Sequence, residues 1–138
     1  MILVDTGALY ALANRRDHHH REAVSYFRRI RPREVLAIPT PVLVEAVLFL
    51  EGRLGPDAAR ALWDDVIRGV FDVLPVSGET LAKAREIDRE YLDADLGFVD
   101  CVSLALCERH RIKTVFTYDR RDFALYRPSF VGALTLVP

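Results

Sequence analysis

Short, almost wholly apolar blocks alternate along this chain with longer stretches in which apolar positions recur at helical spacing. The blocks predict five strands: residues 1–5, Val35-Leu36-Ala37-Ile38, Phe71 to Val76, Lys113 to Thr117, and Ala133 to Val137. The stretches between them predict helices. Gly-Ala-Leu-Tyr-Ala-Leu-Ala at 7–13 is a short one, and residues 19–30 form a second, basic one with Ala23, Val24, Phe27 and Ile30 on its apolar face. Thr40-Pro41 is a good helix start, with Thr40 as N-cap and Pro41 in the first helical position, and that helix runs to about Gly52. Gly55-Pro56-Asp57 opens another, ending near Gly69. Ser77 caps a helix that reaches about Leu92, and Gly97 opens a very apolar helix through about His110.

Strands alternating with helices imply parallel pairing in a three-layer α/β sandwich. Strands that are apolar throughout are those covered on both faces. There is no repeat, no low-complexity tract and no linker, so residues 1–138 are expected to form one domain. In such sheets the ligand site lies beyond the carboxyl ends of the strands, where the strand order reverses.

Four acids fall in that region. Asp5 ends the first strand, and Asp119 lies just past the fourth. Glu45 is one turn into the helix after the second strand, and Asp100 is in the first turn of the helix leading to the fourth. All four reach one crevice if the first and fourth strands are neighbours. Convergent carboxylates repel, and some take up protons unless a cation neutralises them. A hard divalent ion such as Mg²⁺ suits an all-oxygen set and keeps room for water and substrate phosphate.

Composition narrows the picture only a little. Apolar residues make up 51% and charged residues 28%, an ordinary globular balance, and the formal net charge of −1 neither supports nor excludes a nucleic-acid partner. Cys101 and Cys107 lack zinc spacing and read as buried reduced thiols, which fits a cytoplasmic location. No secretory signal and no apolar run of membrane-spanning length is present, so no membrane partner is expected. His18-His19-His20 cannot readily chelate one ion, because consecutive helical residues point in different directions. Arg15, Arg16, Arg21, Arg28, Arg29, Arg31 and Arg33 read mostly as a solvated face. Trp63, Phe49 and Leu50 read as core or dimer contacts.

Four segments carry a resemblance. Ile2-Leu3-Val4-Asp5-Thr6, Pro39-Thr40-Pro41-Val42-Leu43-Val44-Glu45, Asp95-Leu96-Gly97-Phe98-Val99-Asp100-Cys101 and Val115-Phe116-Thr117-Tyr118-Asp119-Arg120-Arg121-Asp122-Phe123 resemble, in order, the four motifs of PIN domains. Within that family the chain is similar to the VapC-type ribonuclease toxins of toxin–antitoxin pairs. Gly97 departs from the Ser or Thr expected to cap its helix, although glycine is an acceptable N-cap.

The resemblance implies a strand order 3-2-1-4-5, cleavage of RNA, a homodimer, and a small antitoxin that inhibits the enzyme. It implies catalytic roles for Asp5, Glu45, Asp100 and Asp119. Asp5 and Asp100 are the primary ligands of one or two Mg²⁺ or Mn²⁺ ions, with Asp119 supporting and Glu45 completing the shell or orienting the attacking water. Thr6 and Thr117 are candidates to hydrogen-bond these ligands from behind, and Asp122 to substitute for or supplement Asp119. Arg120 and Arg121 are candidates for RNA phosphate. Other classes fit less well. An aspartyl-phosphate phosphatase needs a second acid two residues after the first, where Gly7 stands, and a receiver domain needs an acid ending a middle strand, where Pro39 and Val76 stand. A PIN-fold binding module without catalysis and a housekeeping RNA-processing nuclease are the remaining alternatives.

Overall fold

The computed structural model describes residues 1–138, all of the chain. Its elements run β1 (Ile2–Val4), α1 (Thr6–Ala13), α2 (His20–Ile30), β2 (Leu36–Pro39), α3 (Thr40–Leu54), α4 (Pro56–Ile67), β3 (Asp72–Leu74), α5 (Gly78–Glu90), a single 3₁₀ turn (Leu92–Ala94), α6 (Phe98–His110), β4 (Thr114–Phe116), α7 (Arg120–Leu125) and β5 (Thr135–Val137). The strands form one sheet in the order β3-β2-β1-β4-β5. Every pairing is parallel. The expected three-layer architecture and strand order are therefore both present.

Side-chain alternation along the strands builds two cores from one sheet. Leu3 is in register with Ala37 on one side and Val115 on the other. These three point to one face, where Ala84 and Ile87 of α5, Val102, Leu104 and Leu106 of α6, and Phe123 of α7 cover them. Ile2, Val4, Leu36, Ile38 and Phe116 point to the opposite face, beneath α1, α2, α3 and α4. Successive strand residues face opposite ways, so a strand with a core on each side must be apolar at every position. This explains why the strands read as unbroken blocks. From Cys101 to Cys107 every residue of α6 is buried, because that helix is packed by the sheet on one side and by neighbouring helices on the others.

Local signals account for most element ends. Ser77 caps α5 as expected, its Oγ accepting from the Thr80 amide at 3.2 Å. Gly55 separates α3 from α4 with φ +95°, a region that other residues rarely occupy. Thr40 corrects the expectation. Pro39 occupies the cap position and Thr40 is already helical, while the Thr40 hydroxyl donates to the Leu74 carbonyl at 3.0 Å. That hydroxyl satisfies the end of β3 instead of its own helix. The third strand is shorter than expected and confined to Asp72–Leu74, and the fifth to Thr135–Val137. Two short elements were not anticipated, the 3₁₀ turn and α7. No helix is long and apolar enough to cross a membrane.

Candidate functional site

Parallel strands deliver their carboxyl ends to one edge of the sheet. At that edge β1 sits beside β4, joined where the Asp5 amide donates to the Phe116 carbonyl at 3.1 Å. Strand order reverses here, because the chain leaves β1 toward β2 and later returns to its other side as β4. A cleft of about 480 Å³ opens there, lined by Asp5, Thr6, Gly7, Glu45, Phe49, Gly97, Phe98, Val99, Asp100 and Asp119. All four acids expected from the sequence are among its walls. No lysine, arginine or histidine is.

Each acid is positioned by a different element. Asp5 follows β1 directly and is 7% exposed. It holds the N-cap position of α1 without spending its carboxylate on a capping bond. Instead, the Thr117 hydroxyl donates to Asp5 Oδ2 at 3.0 Å. The same hydroxyl accepts from the Asp119 amide at 3.0 Å, so one threonine sets both the Asp5 carboxylate and the turn that carries Asp119. Asp119 caps α7 in position only, with its side chain free of any capping bond. Glu45 reaches the cleft from α3 and accepts from the Thr6 hydroxyl. Asp100 enters from the first turn of α6, where a Cβ on Gly97 would lie 3.4 Å from its Oδ2. Thr6 and Thr117 thus each donate a hydroxyl hydrogen bond to one of the four acids. Replacing Thr117 by Val keeps the shape and removes the bond to Asp5. The expected result is a folded protein whose affinity for Mn²⁺ falls about 10–100-fold, read by metal titration.

The electrostatics are one-sided. Burial pushes the Asp5 carboxyl above its usual range, with Glu45 and Asp119 adding to the rise and the Thr6 backbone and Thr117 hydroxyl opposing it. Asp100 is pushed up to about 6, first by burial and then by the negative charges of Asp5, Asp122, Asp119 and Glu45. Carboxylates crowded in this way lack a positive charge among them. The donor set fits a hard divalent cation, since it is all oxygen and leaves an open side for water. No three acids in the chain form a ready-made cage around a single point.

The remaining candidates are placed differently. Asp122 is 8% exposed and lies outside the cleft lining, with Arg121 Nε donating to its Oδ1 at 2.8 Å. It acts on the site through its charge on Asp100. Asp119, and not Asp122, is the fourth acid of the cleft. Arg120 donates to the Pro138 carbonyl at 2.6 Å and Arg121 to the Ala94 carbonyl at 3.2 Å, and neither lines the cleft. Phe49 and Phe98 do line it, and Phe98 is 64% exposed. Phe98 was not singled out from the sequence. Its only signal is a large apolar side chain at the solvent-facing start of an otherwise buried helix. Cys101 and Cys107 are free and buried, and burial pushes both thiols up, Cys101 to about 11.

Comparison with known proteins places this arrangement. The chain is 26% identical over 137 residues to ribonuclease VapC26 of Mycobacterium tuberculosis, covering 99% of this chain and all of that one. Among solved structures it is similar to VapC20 of Mycobacterium tuberculosis, described as a sarcin-ricin loop cleaving toxin. That match has a TM-score of 0.79 and 26% identity, over 91% of this chain and 95% of that one. It also shares its fold with DNA-bound VapBC from Salmonella typhimurium, at a TM-score of 0.70 and 18% identity, over 99% of this chain and 98% of that one. Residues 2–128 match the family description PIN domain, which spans all four acids and the strands that carry them. With the sheet order, the acidic switch point and this match in agreement, the chain belongs to the PIN domain family.

Proposed function

We propose that the protein is a metal-dependent endoribonuclease, the toxin of a toxin–antitoxin pair, with residues 1–138 acting as one nuclease unit. The observation that carries this reading is the convergence of Asp5, Glu45, Asp100 and Asp119 on one cleft that contains no cationic side chain. Likeness to ribonuclease VapC26 supports the choice of substrate class. Asp5, Asp100 and Asp119 would hold Mg²⁺ or Mn²⁺. The bound ion supplies a lowered pKa for an attacking water and charge stabilisation at the scissile phosphate. Glu45, steadied by Thr6, is placed to orient that water and take its proton. The Thr117 hydroxyl orients the Asp5 carboxylate and favours its ionised form against the upward push of burial. Phe49 and Phe98 line the cleft beside the acids, of which Asp5 is buried and Glu45 and Asp119 are open to solvent.

Two surfaces fit protein partners. An apolar hollow of about 330 Å³ between α1, α2 and α4 is lined by Leu9, Leu12, Val24, Phe27 and Leu62, with Arg28 and Asp65 also in its lining. It suits an apolar helix of a small antitoxin whose cationic segment continues to the acids. The exposed Val44 and Leu48 of α3, with Leu81 of α5 and Phe98 of α6, suit a second copy of the chain.

Purified protein is expected to cut single-stranded RNA with Mg²⁺ and to stop when EDTA is added. In cells, the chain alone should arrest growth, and a small neighbouring gene should restore it. Cutting that persists in EDTA would sink the metal reading. Cleavage without growth arrest would instead favour a housekeeping nuclease.

A further inference from the structure

The three consecutive histidines take no part in the acidic cleft, yet two of them join an aromatic ladder that starts beside it. Phe116 of β4 is fully buried, and the Tyr118 ring meets it edge-on at 6.2 Å between centroids. The His19 ring stacks on Tyr118 at 3.9 Å, only 17° from parallel. The His18 ring lies 3.7 Å beyond His19, tilted by 43°. The ladder thus climbs from the core to solvent, and its last ring has a side chain 82% exposed. Its lower rung lies between two site residues in sequence, since Tyr118 separates Thr117, which bonds Asp5, from Asp119 in the cleft wall.

The segment that carries the upper rings is held in place. The His19 amide donates to Asp17 Oδ1 at 2.8 Å, and the His20 ring bonds the Ala11 carbonyl at 2.8 Å. His20 therefore serves as the anchor, which leaves His18 and His19 as the platform. Arg15, Arg16 and Arg21 flank the three histidines in sequence and are exposed. An exposed ring stacked on a ladder whose lower rung is the sequence neighbour of Asp119, with Arg15, Arg16 and Arg21 exposed along the same segment and Asp17 and Glu22 beside the rings, matches what a single-stranded nucleic acid needs. Bases stack on aromatic faces while the backbone follows positive charge. A role confined to fastening α2 onto β4 is complete with His19 on Tyr118, and does not use His18.

We infer that the His18–His19–Tyr118 ladder is a stacking platform for a nucleobase of the RNA strand flanking the scissile phosphate, a proposal that rests on the ribonuclease reading above. The bound base lies over the open face of His18, and the strand passes from there into the cleft at Asp119. Recognition is by ring stacking, so the position selects for an unpaired nucleotide more than for a particular base.

The test compares wild-type protein with His18→Ala and His18→Trp on mixed-sequence single-stranded RNA oligonucleotides with Mg²⁺. His18→Ala should raise KM about tenfold, the size of one lost base stack, with kcat nearly unchanged. His18→Trp should restore or lower KM, and both variants should melt like wild type. Oligonucleotides carrying 2-aminopurine at successive positions should show quenching at one flanking position, lost in His18→Ala. Unchanged KM and quenching in His18→Ala, in a protein that cleaves, would overturn the platform and leave the ribonuclease reading standing. So would a loss confined to antitoxin binding. Absence of both cleavage and binding in wild type would remove the ribonuclease reading, and the platform with it.

Discussion

Asp100→Asn should leave a folded protein that cuts RNA about a thousandfold more slowly. Asp100 stands in the cleft with Asp5, Glu45 and Asp119, and no cationic side chain shares the space. On the proposed metal-dependent reading, the amide keeps the shape and loses a charge that would hold a divalent ion against the substrate. Charge stabilisation by a catalytic metal amounts to several kcal/mol, and each 1.4 kcal/mol or so is about tenfold in rate. The fold should not suffer, because the wild-type carboxylate is unfavourably placed: burial and four neighbouring acids all push its pKa upward. Single-turnover cleavage and thermal melting of the two proteins give both halves of the result. If Asp100→Asn cleaves at the wild-type rate, the acid is not a ligand. If it fails to fold, the acid is structural.

The second large effect is on stability, through pH and metal together. In the metal-free protein Asp100 has a folded pKa of about 6 against a model value of 3.8. An acid with a raised folded pKa holds its proton more tightly when folded. Its favourable contribution is therefore fully present below about pH 3.8 and is lost as pH rises through about 6. Asp5 shifts in the same direction. Screening at a half-buried side chain reduces the Asp100 contribution to about 1–2 kcal/mol. Glu108, held low by bonds from Ser129 and Tyr126, moves stability the opposite way, so wild-type melting alone mixes the two. The difference between Asp100→Asn and wild type isolates the site. The variant should melt with wild type near pH 4 and above it by pH 7. Mg²⁺ at about a hundred times its Kd should then add about 2.7 kcal/mol to wild type at pH 7, a rise in Tm of roughly 10 °C for this chain length. Asp5→Asn should lose most of that rise. An identical rise in Asp5→Asn would place the ion elsewhere.

How much of this could be read beforehand depended on the length scale of each signal. Strands buried on both faces announce themselves as apolar blocks, and the helices between them span enough turns for their period to show. Arg120 to Leu125 is too short for that, so no helix was expected after Asp119. Thr40 followed its local preference in the sequence but answers in the structure to Leu74, a residue 34 positions away. Glu45 and Asp100 could be tied to the cleft because each stands in the first turns of a helix that opens at the expected edge of the sheet. Asp119 and Asp122 could not be separated, since three residues along the chain decide only by the direction of the helix between them. The ring stack was invisible for a related reason. His19 and Tyr118 are 99 residues apart in numbering, and nothing local in either segment names the other.

The bond from Thr117 to Asp5 joins residues 112 positions apart. Asp5 belongs to the first strand, while Asp119 and its supporting turn follow the fourth, so the acidic cleft cannot be complete until the fourth strand has been made. During synthesis the first strand must wait, paired only with β2, until the region after residue 113 has left the ribosome. On the toxin reading, a nascent chain is harmless until β4 has been made. Competence to cut RNA arrives in one step, when β4 inserts beside β1, and that step sets a window in which a partner already present can bind before the enzyme acts.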